Sequence, residues 1–498
     1  MKQNKLLDNL NQNQIIIIST IIIVFLISFI ILINKFPLMQ IPIIIALIGG
    51  IWILIQSPTR FLRIFVWAYP LYLFLQAFLF PSMKDRTNNG LFPAIPVAGI
   101  NLRLDELLLL VAIFLFFSKY IFMLIQSKNK WSFQVATLLI FAFLAFYSIG
   151  GIHGIIARNP NAFSDIRYSL LPAIYLFMFI KLFDPDLHLE QVRKWSMILL
   201  AILSFSSLLS ALFPEYVSLL QRLPFPNARP KGTSSIVEVL TMLKIIYALA
   251  LAGFLNRDSP RYVYLFLVLL AIAGQLIWVD KTTYVQIPLI TLLVIVALSY
   301  KSLFRWRTQI AQRAFFVGIF VIVVTLVFIF LLSNEFVVNY IEYAVFRITR
   351  PDIGDVTSRR VTLWIEALNL IWKNPFFGNG MGIVYTFPAL INPDYLVTMQ
   401  EHNMFLWVAV RLGIPAFIIL CLLIIWYIGI GFRLVGKLHG KEKSTAVAMF
   451  AFSTSMIIMS FTGMHLLHFN VGILFMTSIG IIGKMYICEF RQTLEERN

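Results

Sequence analysis

The chain is a long alternation of apolar runs and short polar breaks. Crossing a bilayer as a helix takes roughly 20 apolar residues. Runs of that kind cover 15–33, 37–56, 61–80, 106–126, 132–156, 169–183, 195–213, 236–255, 261–279, 283–300, 314–333, 414–432, 445–463 and 470–488. Backbone N–H and C=O groups find no water in hydrocarbon, so each run is expected to close its own hydrogen bonds as a helix. The pattern predicts an all-α polytopic membrane protein with about fourteen transmembrane helices. The first run, Ile15 to Ile33, is longer than a signal-peptide core and lacks a small-residue cleavage site, so it is expected to remain as a span. The chain then divides into a membrane bundle over 1–333, a large late loop over 334–413, and further spans with a short tail over 414–498.

The late loop breaks the rhythm. Ser358 to Gly413 is polar and bears Arg and His in a chain that is otherwise nearly all apolar. Arg359, Thr362, Glu366, Asn369 and Lys373 recur at steps of three and four, and Val361, Trp364, Leu368 and Ile371 fill the opposite face. This predicts an amphipathic helix over 359–373, with Thr357 or Ser358 as N-cap and Pro375 beyond its end. Its apolar face is expected to pack on the bundle or on lipid headgroups. Gly378, Gly380 and Gly382 follow. No strand precedes them, so they are not a dinucleotide fingerprint; they suit tight turns and close backbone approach. A second short helix is expected from Asn403 to Arg411, capped by His402 beside Glu401 and broken by Gly413 and Pro415. A span starting at Ile414 leaves Arg411 at the interface, outside hydrocarbon.

Composition sharpens the class. Hydrophobic residues make up 60% and charged residues 13%, against about 25% charged in soluble domains. Mean hydropathy is +0.86. No large soluble domain is expected, and Cys421 and Cys488, both in or at the end of apolar runs, exclude a disulfide framework. Lys and Arg crowd alternate loops, among them Lys2, Arg60, Lys128, Arg193, Arg257, Lys301, Arg305 and Arg433. Such loops belong in the cytoplasm. Both termini then lie there, and 334–413 lies outside. The net charge of +17 leaves cations on the outer face too: Arg158, Arg167, Arg222, Arg229, Lys231, Lys281, Arg359 and Arg360 among them. A basic chain has cations everywhere; the sharper reading is a mouth that concentrates anionic substrates. The planar fork of Arg suits phosphate.

The ordered pattern R-x-T-L-W-x-E-A-L, then N-P-F-F-G-x-G-x-G, then E-H-N-x-F-L and R-L-G-I-P resembles the O-antigen ligase and O-antigen polymerase superfamily. The resemblance implies a membrane glycosyltransferase of broad C-type architecture in the bacterial inner membrane. Such enzymes take a glycan from a polyprenyl (undecaprenyl) diphosphate donor at the outer face. They pass it to an acceptor hydroxyl on lipid A core, as in lipopolysaccharide, on another glycan, or on a protein. The family histidine matches His402, and its arginine ahead of the amphipathic helix matches Arg359 or Arg360. A further family arginine, in a turn between two spans, is replaced here by Lys281 in V-D-K-T-T. Lysine keeps the charge and loses the bidentate geometry. Glu401, Arg411, Arg229 and Lys231 are expected to contact substrate. Ligases and polymerases are not separated by these motifs.

Transfer from a polyprenyl diphosphate needs a stabiliser for the departing diphosphate, and cations or a metal supply it. Asp352, Asp355 and Asp394 are scattered and form no D-x-D among them, so arginines are the expected stabilisers, with no metal and no cofactor. His465 and His468, spaced i, i+3, have an interfacial or packing role as the simpler reading than a metal one. Glu238 and Lys244 fall inside an apolar run, where charges mark function or a misplaced boundary. The rival class is a transporter or flippase of lipid-linked sugars or small anions. It would place polar groups at mid-membrane and show related halves; here the polar groups sit at one face and no repeat is visible. A scaffold would use the outer helix as interaction surface only. No nucleic-acid partner is expected.

Overall fold

A computed structural model describes residues 57, 61–66, 68–70, 73, 95–97, 100–102, 106, 109–117, 135–212, 235–277, 281–299, 356–388, 396–399, 403–461 and 469–495. The expected spans 15–33, 37–56 and 314–333 lie outside these residues, and 61–80 and 106–126 lie only partly within them. In chain order the elements are β1 (Ile95–Val97), β2 (Ile100–Leu102), α1 (Val135–Ile156), α2 (Ala162–Leu182), α3 (Pro185–Leu212), α4 (Ser235–Leu255), α5 (Arg261–Ile277), α6 (Lys281–Ser299), α7 (Val356–Lys373), β3 (Tyr385–Pro388), β4 (Leu396–Met399), α8 (Met404–Leu412), α9 (Ile414–Lys437), α10 (Gly440–Met459) and α11 (Phe469–Glu495).

The protein is a multi-pass membrane protein. Among the described residues four helices are long and apolar enough to cross a bilayer: Leu138–Ile156 in α1, Ala162–Leu182, Ile414–Lys437, and Val471–Glu489 in α11. The architecture is helical with one departure from the all-α expectation. β1 pairs with β2, and β3 with β4, as short antiparallel ladders. In the second ladder Tyr385 faces Met399 and Phe387 faces Val397. Aromatic and β-branched residues favour the extended form there, and Pro388 cannot continue a helix. α2 also begins well before the apolar run at 169. Asp165 lies in its first turn, where a carboxylate complements the helix N-terminus, but a hydropathy window reads that turn as loop.

The chain forms two compact units, 1–130 with 171–243, and 131–170 with 244–498. In the first unit Tyr69, Tyr175, Phe179 and Phe183 are buried. Phe179 stacks on Phe183 at 4.5 Å, and Tyr175 donates its hydroxyl to the Val66 carbonyl. The D-x-D that the chain does carry, Asp184-Pro185-Asp186, opens α3 here, and the Asp184 N–H donates to His188 Nδ1 at 3.1 Å.

In the second unit α10 is almost wholly buried, with α6, α9 and α11 packed around it. Lipid tails are as apolar as the helices, so close packing and hydrogen bonds must hold such a core. Ala446, Ala448, Ala451, Ser453 and Ser455 keep the α10 surface small and allow close approach. Ser455 Oγ bonds within the helix, donating to the Phe452 carbonyl at 2.7 Å, and Ser453 also pairs with the Tyr427 hydroxyl of α9. Gln286 of α6 donates to Met456 Sδ at 3.2 Å. Lys244 of α4 is buried. α9 also packs on α1 and α8, and this corner positions the motif residues.

Candidate active site

The site is assembled at the end of α1. There the Asn159 N–H donates to the Gly154 carbonyl and the Arg158 N–H to the Ile155 carbonyl, both at 3.0 Å, around Arg158 at φ 54. This is a helix-ending turn whose left-handed position normally belongs to glycine. The turn places the Asn159 carboxamide, whose Nδ2 donates to the Met381 carbonyl at 2.9 Å and to the Asn379 carbonyl at 3.3 Å.

The loop after α7 is threaded into this corner. Gly378, Gly380 and Gly382 take φ values of 67°, 83° and 79°, a region that side chains strongly disfavour. The Gly380 N–H donates to the Arg411 carbonyl at 3.2 Å. The Met381 N–H reaches the Gly150 carbonyl at 2.9 Å, and the Asn379 N–H reaches the Val410 carbonyl at 2.7 Å. Gly380 lies against Gly154, where a Cβ would stand 2.6 Å from the Gly154 nitrogen. At Gly382 a Cβ would run into the backbone of Asn161 and Ala162. Asn379 closes the loop on both helices: its Nδ2 donates to the Leu370 and Val410 carbonyls at 3.0 and 3.1 Å.

Arg411 is the centre of the corner. It is fully buried, and Asp165 is nearly so. Arg411 Nε donates to Asp165 Oδ2 at 2.7 Å, and its Nη2 donates to the Ile383 carbonyl at 2.8 Å. The guanidinium lies 4.8 Å from the Trp407 ring centroid. Asp165 Oδ2 also accepts the Gly382 N–H at 2.8 Å. One carboxylate thus ties together α2, the glycine loop and α8. Arg411, expected at the interface, is buried here, and these two donors are directed at Asp165 and the glycine loop.

α8 carries a second correction. Its N-cap is Asn403, not His402: Asn403 sits at φ −146, ψ 115, and its Oδ1 accepts from the Phe405 and Leu406 N–H groups at 2.9 and 3.1 Å. A short side-chain oxygen suits these free amides. The Met404 N–H donates to the Ser460 carbonyl at 2.9 Å, and the Ile414 N–H to the Pro375 carbonyl at 2.7 Å. Gly413, at φ 89, makes the bend between α8 and α9.

α7 begins at Val356, so Thr357 and Ser358 lie inside its first turn. It buries Leu363, Ala367 and Ile371 against Ala409 and Val410 of α8. Leu368, expected on the inner face, is exposed. The packing partner selects which apolar positions turn inward, and a pattern alone leaves that open.

Arg359 and Arg360 stand in the early turns of α7, and Lys281 is the first residue of α6. Their side chains lie outside the described set, as do Arg229, Lys231, Glu401, His402, His465 and His468 altogether. Sequence reasoning missed Asn159, Gly154 and Asp165. The signal was an acidic residue in a break otherwise bearing Arg158 and Arg167, but its partner is remote in the chain. No curated protein matches the chain. Residues 282–421, running from α6 through the glycine loop and α8 into α9, match the family model described as O-antigen ligase, and through that stretch the chain is similar to the O-antigen ligase superfamily.

Proposed function

We propose that the protein is a glycosyltransferase of the bacterial inner membrane. It moves a glycan from a polyprenyl diphosphate to an acceptor hydroxyl at the outer face, in ligation or polymerisation of surface polysaccharide. The acceptor is lipid A core, another glycan or a protein. The observation that carries the reading is convergence. Asn379 of the N-P-F-F-G-x-G-x-G segment, Arg411 of R-L-G-I-P and the inner face of α7 meet at the mouth of the membrane-crossing helix α9, within the stretch that matches O-antigen ligase. Excess Lys and Arg in the opposite loops supports an extracytoplasmic placement of this mouth, with both termini cytoplasmic.

In this reading the acceptor oxygen attacks the anomeric carbon, and the bond from that carbon to the diphosphate oxygen breaks. His402 takes the hydroxyl proton, an assistance worth roughly 10²–10⁴-fold. It immediately precedes Asn403, the N-cap of α8. Arg359 and Arg360 stabilise the departing diphosphate. Arg359 is in helical register with exposed Glu366 and Lys373, and Arg360 with buried Leu363, Ala367 and Ile371, which favours Arg359 as the direct contact. Lys281, Arg229, Lys231 and Glu401 complete the substrate contacts. Transfer by the purified protein in nanodiscs, with a lipid-linked donor, tests the assignment. Arg359→Ala and His402→Ala should lose transfer while the protein still accumulates, Arg359→Lys should rescue only partly, and excess EDTA should leave the wild type active. Wild-type rates in both Ala variants would refute the site, and activity abolished by EDTA and restored by Mg²⁺ would refute the metal-free mechanism. Deletion separates the two activities: a lost ligase leaves long chains on the carrier, a lost polymerase single repeats.

A further inference from the structure

α7 has three faces. Leu363, Ala367 and Ile371 turn to the protein. Glu366, Asn369 and Lys373, at steps of three and four, form a polar exposed face. Ile365, Leu368 and Trp372, in the same steps, form an apolar face that is also exposed, and Phe376 and Phe377 extend it beyond the helix end. Trp372 is 74% exposed and Phe376 69%. A helix in water has no reason to extend its apolar arc so far beyond the part that the protein covers; a helix where protein, lipid and water meet does.

The depth of this stripe is fixed by its contacts. The Phe377 ring lies 6.4 Å from the ring of Phe146, which is well inside the apolar stretch Leu138–Ile156 of α1. The Pro375 carbonyl accepts the first N–H of α9. The apolar exposure continues down α9 through Ile418, Leu422 and Ile425. Phe376 and Phe377 are thus level with a membrane-crossing segment, and Trp372 stands one turn away. Trp favours the headgroup boundary, and Lys373 can extend its ammonium toward water while its stem stays apolar.

We infer that α7 lies in the plane of the membrane interface, with Ile365, Leu368, Trp372, Phe376 and Phe377 inserted into the bilayer. The occupant of this face is lipid, because the stripe is continuous with the lipid-facing side of α9 and level with α1. The early turns of α7 bear Arg359 and Arg360, so the inserted stripe sets the height of those cations at the headgroup layer, where the diphosphate of a lipid-linked donor resides. That last consequence rests on the proposed function; the insertion itself does not.

Single cysteines at 366, 368, 369, 372, 373 and 376, in a Cys421→Ser, Cys488→Ser background and spin-labelled in nanodiscs, test it. Positions 368, 372 and 376 should be accessible to oxygen and shielded from a water-soluble nickel chelate. Positions 366, 369 and 373 should show the reverse. Chelate access at all six would overturn the inference. Shielding of 368, 372 and 376 from both reagents would also overturn it, by showing a protein partner or a second copy on this face. Trp372→Phe should keep the pattern at 376, and Trp372→Glu should shift 376 toward the chelate. Loss of transfer in Trp372→Glu with that shift supports the height argument. Unchanged transfer with the shift removes the height argument and leaves insertion standing.

Discussion

Arg411→Ala tests the corner most directly. The substitution removes both donors that Asp165 and the Ile383 carbonyl use, and the cation over Trp407. Asp165 keeps the Gly382 N–H but loses its countercharge in a nearly water-free place. Breaking a buried pair from one side costs about 3–5 kcal/mol, because a charge remains buried alone. Asp165→Asn should cost about the same, since the guanidinium is then the stranded charge. The double variant Asp165→Leu, Arg411→Met removes both charges. It still leaves the Gly382 N–H and the Ile383 carbonyl unmet, at about 1–3 kcal/mol each. Its cost should therefore fall short of the summed single costs by roughly 2 kcal/mol or more. Denaturant unfolding in mixed micelles, followed by tryptophan emission, measures all three. If Arg411→Ala unfolds within about 1 kcal/mol of the wild type, or if the two single effects simply add, the pair does not hold the loop as argued. Transfer should fall with stability in these variants, because the glycine loop is what they release.

Arg158→Gly should raise stability by about 1 kcal/mol, since arginine occupies a left-handed position at φ 54; a lower unfolding midpoint would count against the turn described. Asn403→Ala should cost about 1 kcal/mol by freeing the Phe405 and Leu406 amides, readable as faster hydrogen exchange at the start of α8. Gly382→Ala should sharply reduce folded protein on size-exclusion, whereas Gly429→Ala, with open space around it, should be neutral; equal yields would contradict the loop geometry. His188 supplies a pH dependence. Burial pulls its pKa below the usual histidine range, with Asp184 opposing and Arg63 reinforcing. The unfolded chain then binds the proton first, so the stability contribution is present above the usual histidine pKa and lost as pH falls through the folded value. His188→Asn should flatten that acid limb in the unfolding midpoint; an unchanged limb would assign it to other groups.

The membrane class was legible in the chain itself. Runs such as Ile414–Lys437 are apolar over a bilayer's thickness, and backbone hydrogen bonding in lipid leaves a helix as their form. The amphipathic helix over 359–373 and the helix after Asn403 were legible too, because a 3.6-residue rhythm and punctuation by Gly413 are local properties. Local rules stop where partners are remote. Asp165 and Arg411 each look like interfacial charges when read singly, and their pairing exists only once α2 and α8 are brought together. Leu363 and Leu368 are chemically alike, yet one is buried and the other exposed. The shape of α8 made that choice, since an apolar pattern specifies that a face is covered but not by what. The glycines announced a tight loop. That the loop would stitch α1 to α8 through Gly154, Asn159 and Val410 depended on long-range packing, which fixes those backbone groups where their partners can reach them.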